Sequence, residues 1–122
     1  MKAVIDSDVL IDFLQGVPEA ESEINRYSDP LYSVISWMEV MVGADTAEER
    51  MAAEALFRSM RVVELSAEVA LKAVDERRKS RLKLPDAAIL ATADCEGCIL
   101  VTRNTKDFDK DDPRIRFPYS IK

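Results

Sequence analysis

The sequence contains no histidine. That absence excludes imidazole acids and bases, Ser/His/Asp triads, histidine-bound zinc and histidine-based ribonuclease chemistry, so catalysis here must run on carboxylates, metal ions or lysine. Cysteine is scarce as well. Cys95 and Cys98 are too close together to staple distant parts of a secreted scaffold, and no second Cys or His pair completes a zinc site. Reduced core and turn thiols are expected. No apolar run approaches the ~20 residues needed to span a bilayer, and the opening MKAVIDSDVL enters a strand-like pattern at once, which leads to the expectation of a soluble, cytoplasmic protein. A positive surplus is missing too: 17 Lys and Arg face 23 Asp and Glu, a net charge of −6 that argues against wrapping nucleic acid in positive potential.

What is present suffices for one core. A chain of 122 residues with a hydrophobic fraction of 48% fits a single domain over 1–122. Residues 2–6 read as a short buried strand, and Ser7 or Asp8 can cap a helix with Val9, Leu10, Phe13 and Leu14 at helical spacing until Gly16 and Pro18 stop it. The pattern continues with a polar helix at 19–28, a strand at 31–35, a helix from Ser36, an amphipathic helix at 46–60, a strand at 61–65 and a helix at 67–80. Leu84-Pro85-Asp86 opens a further helix that Gly97 ends; a strand at 98–102, a polar segment and a last strand at 115–117 follow. Such alternation predicts an α/β fold: a three-layer α/β/α arrangement around a mainly parallel sheet of about four to five strands.

In such a sheet, strand C-termini and the N-termini of the returning helices crowd along one edge, where ligands bind. Asp6 at the end of the first strand, Glu39 and Asp86 in first turns of helices, and Asn104 and Asp107 beyond the 98–102 strand are all expected there. Four segments would then deliver oxygen ligands to one small volume, as a hard divalent cation requires. Basic residues gather in Arg77, Arg78, Lys79, Arg81 and Lys83, just before Asp86; with Arg103 and Lys106 they are candidate contacts for a nucleic-acid phosphate backbone.

Each acid also has a plainer reading. Asp6 can be a turn residue or helix cap, Ser36-x-x-Glu39 has the pattern of a capping box, and Asp86 suits the dipole at a helix start. Asp8 and Asp12, four apart, read as a solvated helix face, with Asp8 a lesser candidate for a supporting role in the site. The run at 77–83 can be no more than a helix end whose dipole favours positive charge. Trp37, Met38 and Met41 read as core or partner-helix contacts rather than base-stacking platforms.

Four segments, VIDSDVLIDFL around Asp6, SVISWMEVMVGA around Glu39, LKLPDAAILATA around Asp86 and LVTRNTKDF around Asn104 and Asp107, resemble the four signature segments of PIN domains, in order and across nearly the whole chain. Short single-domain chains of this kind resemble VapC toxins of toxin–antitoxin pairs. The resemblance implies an endoribonuclease dependent on Mg²⁺ or Mn²⁺, a cognate antitoxin and a homodimer. It makes Asp6, Glu39 and Asp86 metal ligands and gives the fourth catalytic position to Asn104 or Asp107. Asn stands at 104 where many members carry Asp, which lowers the negative charge and makes a second metal less favourable. Ser7 and Thr102 are implied as hydroxyl donors orienting the carboxylates.

Two other functions fit parts of the pattern. Asp6 and Asp8 mimic the Asp-x-Asp opening of haloacid-dehalogenase-like phosphatases, although Leu10 stands where that family has threonine or a related residue. A non-catalytic module that keeps the PIN-like fold and only binds a protein partner is the third reading.

Overall fold

The computed structural model of the chain describes residues 1–121. Strands β1 (Lys2–Ile5), β2 (Asp29–Ser33), β3 (Arg61–Val63), β4 (Ile99–Val101) and β5 (Ile115–Arg116) form one sheet in the order β3-β2-β1-β4-β5, and every neighbouring pair is parallel. Six helices supply the connections: α1 (Ser7–Leu14), α2 (Pro18–Asn25), α3 (Val34–Val42), α4 (Ala47–Arg58), α5 (Ala67–Lys79) and α6 (Leu84–Glu96). The three-layer α/β/α class expected from the alternation is the one observed. Among the described residues, no helix is long and apolar enough to cross a membrane.

The period of two along the strands sorts side chains onto two faces. Ala3, Ile5, Tyr32 and Val101 enter a core closed by α1, α2, α3 and α4, where Val9, Leu10, Ile24, Val40, Leu56 and Phe57 are buried. The alternate residues Val4, Leu31 and Leu100 meet Ile89, Leu90 and Ala93 of α6 on the other face. Helix α5 lies outside α6. Val69 and Ala73 pack against Ala88 and Ala91, small side chains that let the two helices approach closely. Only residues 80–83 join α5 to α6, so the pair forms a helical hairpin.

Local chemistry sets the boundaries. The strand expected at 31–35 occupies Asp29–Ser33, because Ser33 rather than Ser36 caps α3: its hydroxyl accepts from the Ile35 amide at 3.0 Å. Pro30 is tolerated inside β2 because pairing with β3 begins only at Leu31. Thr46 and Glu49 form a reciprocal capping box at the start of α4. Gly97 ends α6 with φ of +65°, a left-handed turn open to glycine at no steric cost. Trp37 and Met38 are exposed on α3, and neither is a core residue.

Candidate active site

The parallel sheet places every strand C-terminus on one edge, and there Asp6, Ser7, Asp8, Glu39, Lys83, Pro85, Asp86, Asn104 and Asp107 line a cleft of about 270 Å³. A larger hollow of about 420 Å³ lies between α1, α3 and α4, but Ile11, Leu14, Val40 and Ala52 give it an apolar lining without convergent acids. The chemistry sits in the smaller, acidic one.

Asp6 is the N-cap of α1, as its plainer reading has it, where the helical pattern alone offers Ser7 or Asp8. The residue is almost fully buried, and both carboxylate oxygens are engaged: Oδ1 accepts from the Ser7 amide at 2.7 Å and Oδ2 from the Thr102 hydroxyl at 2.8 Å. Ser7 Oγ also donates to Glu39 Oε1 at 3.0 Å and so links two acids from different elements. Glu39 itself is exposed at the rim, in the second turn of α3 rather than the first. Because Ser33 caps that helix, the capping-box reading of Ser36 and Glu39 falls away. Ser36 is fully buried, and its hydroxyl has no hydrogen-bond partner.

Asp86 sits half-buried in the first turn of α6, beside Pro85. Beyond β4, Asn104 and Asp107 bind each other: Asn104 Nδ2 donates to Asp107 Oδ2 at 3.0 Å, and the Asp107 amide donates to Asn104 Oδ1 at 3.1 Å. The Asn104 side chain therefore closes a turn that holds Asp107 at the cleft, and both positions reach it.

The structure corrects the reading of Asp8 and Asp12 as a solvated face. Asp8 lines the cleft, 3.2 Å from Thr102 Oγ1 and 3.3 Å from the Arg103 amide. Asp12 is 2% exposed and takes two hydrogen bonds from Arg103, Nε to Oδ2 at 2.6 Å and Nη2 to Oδ1 at 3.1 Å, with the Tyr119 hydroxyl donating at 2.8 Å. Arg103, a candidate RNA contact, is thereby committed to Asp12. Partners from the far end of the chain carry no local sequence signal, which is why the pattern alone reads Asp12 as exposed. Asp8 does have a signal: in the first turn, a side chain leans back toward the helix N-terminus, and here that direction leads into the cleft.

Burial first, then the charge of Asp8, pushes the Asp6 carboxyl up to about 7. Asp8 is raised by burial against the opposing pull of Arg103, and Asp86 by burial followed by the charges of Asp107 and Glu39. These groups are forced together beyond what their own charges favour. Among the described residues, no three Asp, Glu or Cys side chains stand arranged so as to hold a metal ion. The donor set nonetheless fits a hard divalent cation, since it is made of oxygens and its mutual repulsion is relieved by positive charge. Softer donors lie elsewhere: Cys95 and Cys98 are free thiols at the opposite end of α6 and β4.

Of the basic run, Lys83 lines the cleft, and Arg81 and Lys106 line the adjoining hollow that shares Asp107 with it. Arg77, Arg78 and Lys79 are exposed in the last turn of α5.

The model of the PIN domain matches residues 3–112. The chain belongs to the PIN-domain family. Its fold is shared with a chain of a toxin–antitoxin complex from Klebsiella pneumoniae, at 38% identity over 98% of this chain and 99% of that one, with a TM-score of 0.90. The PIN fold recurs at 21% identity in the DNA-bound VapBC complex of Salmonella typhimurium (TM-score 0.81, 95% and 96% covered). It recurs again at 17% identity in FitAcB of Neisseria gonorrhoeae (TM-score 0.79, 98% and 99% covered). No curated protein matches the chain. Membership weighs against a phosphatase of the dehalogenase type. So does Leu10, fully buried in the PIN core where that chemistry needs a hydroxyl.

Proposed function

We propose that this PIN-domain protein is the toxin of a toxin–antitoxin pair and acts as an endoribonuclease dependent on Mg²⁺ or Mn²⁺. The observation that carries this reading is the cleft itself, which gathers Asp6, Glu39, Asp86 and Asp107 from four separate segments beside Lys83. The Klebsiella relative supports the toxin part, because the complex it comes from is a toxin–antitoxin complex.

Asp6, Glu39 and Asp86 would hold the cation. When bound, it supplies Lewis-acid polarisation of a phosphoryl oxygen and a lowered pKa for water. The Ser7 amide and the Thr102 hydroxyl fix the orientation of Asp6 by bonding one oxygen each, and the Ser7 hydroxyl holds Glu39. Asp107, oriented by Asn104, accepts the proton given up by an attacking water. Lys83 at the cleft and the basic residues from Arg77 to Arg81, together with Lys106, bind the flanking phosphates. Family resemblance gives products with 5′-phosphate and 3′-hydroxyl ends, a homodimer in solution, and an antitoxin that inserts a basic side chain among the acids and blocks cation or RNA.

The test is RNA cleavage by purified protein. Cutting is expected with Mg²⁺ or Mn²⁺, and Asp6→Asn or Asp86→Asn is expected to abolish it with the fold intact by circular dichroism. Full activity in excess EDTA refutes the mechanism.

A further inference from the structure

Asp8 lines the cleft without belonging to the four acids above, and its surroundings are unusually well built for a helix start. The Thr102 hydroxyl that donates to Asp6 also lies 3.2 Å from Asp8 Oδ2, and the Arg103 amide donates to the same oxygen at 3.3 Å. A hydroxyl has one proton, and at 2.8 Å that proton belongs to Asp6, which leaves Asp8 to backbone amides, that of Arg103 among them. The residue that offers this amide is itself held in place, because Asp12 accepts two hydrogen bonds from the Arg103 guanidinium and a third from the Tyr119 hydroxyl. Asn104 is engaged in the turn with Asp107 and carries no negative charge to offer in place of Asp8.

We propose that Asp8 faces the bound cation alongside Asp6 as a further ligating carboxylate, and that the buried Asp12–Arg103 pair is the positioning device that presents it. This rests on the nuclease reading above. In physical terms, a buried ion pair contributes little net stability against an apolar replacement, and its geometric definition is what the fold gains. Here the two ends of one residue do the work, the Arg103 guanidinium bound to Asp12 and its backbone amide bound to Asp8. The missing negative charge at position 104 is thus supplied from the first helix.

Mn²⁺ titration calorimetry on the full chain tests the proposal without relying on turnover. Asp8→Asn is expected to weaken Mn²⁺ binding about 10–100-fold relative to wild type. The loss should persist in 1 M KCl, where the screening length of about 3 Å removes remote charge effects. Asp12→Asn is expected to weaken binding as well, but to cause no further loss in an Asp8→Asn background, because both act through the same carboxylate. Should Asp12→Asn fail to fold, Tyr119→Phe, which removes a single hydroxyl, takes its place in the cycle. Wild-type affinity in Asp8→Asn, a loss that vanishes in 1 M KCl, or additive losses in the double variant each overturn the proposal. If Asp8→Asn is unchanged while Asp6→Asn no longer binds, this inference fails and the nuclease reading stands. If wild type itself binds no Mn²⁺, both fall.

Discussion

Replacing Asp6 with asparagine should make the metal-free protein more stable, although the residue is the centre of the candidate site. The carboxyl moves from 3.8 to about 7 on folding. At ~1.4 kcal/mol per pKa unit, a shift of about three units means that holding the charge in the native state costs about 4 kcal/mol at pH 8. The residue is 4% exposed, so solvent screening takes little from this figure. Asparagine can keep the cap bond from the Ser7 amide and can turn its own amide toward Thr102, but it is also buried, so a net gain of about 1–3 kcal/mol is expected. The sign follows from linkage. Between about pH 4 and 7, native Asp6 binds more protons than unfolded Asp6, so this group's contribution is complete below 3.8 and lost as pH rises through 7. The advantage of Asp6→Asn should therefore be largest at pH 8, fade by pH 5 and require EDTA, since a cation at 100 times its dissociation constant restores ~2.7 kcal/mol to wild type. Urea denaturation at pH 5, 6, 7 and 8 in EDTA measures it. An Asp6→Asn variant no more stable than wild type at pH 8, or equally stabilised at pH 5, refutes the electrostatic reasoning.

Other perturbations have outcomes of the same kind. Asp12→Ala leaves Arg103 without its partner in a largely buried place and should cost about 2–3 kcal/mol by urea denaturation, whereas a surface pair is worth under ~1 kcal/mol. Burial alone would raise Glu23, but hydrogen bonds from Arg116 and Tyr27 outweigh it and hold that carboxyl below its usual 4.5; its stabilisation is present above pH 4.5 and lost as pH falls further, so Glu23→Gln should flatten the acid limb of the stability profile. Gly97→Ala meets no neighbouring atom and should cost only the left-handed strain of about 1 kcal/mol, read as a lowered Tm. Replacing Lys83 or Arg81 with alanine should weaken RNA binding across sequences and lower the slope of log affinity against log salt by about one for each phosphate no longer neutralised.

Much of the fold was legible because hydrophobic period and helix-stop residues are local. The alternation of Ala3, Val4 and Ile5, the proline and glycine bounding α6, and the amphipathic α4 needed no distant partner to be read. The edge that collects Asp6, Glu39, Asp86, Asn104 and Asp107 followed from parallel topology alone. What escaped was whatever depends on a contact across the chain. Asp12 reads as surface because Arg103 and Tyr119 lie about a hundred residues away in sequence. Helix α3 starts at Val34, two residues before the Ser36 start its pattern suggests, because Ser33 and Ser36 are equally good caps by type and it is Ser33 that accepts from the Ile35 amide. Burial then left Ser36 with a hydroxyl that no pattern could have marked.

The hairpin of α5 and α6 has a mechanical consequence. The positive end of one helix and the acid-bearing start of the other are adjacent because four residues, 80–83, turn the chain between them. Electrostatic reach toward a polyanion and the grip on a cation are therefore coupled through a hinge of fixed length. Adding one residue to that hinge would change the spacing between the two polarities while leaving every charged side chain in the sequence.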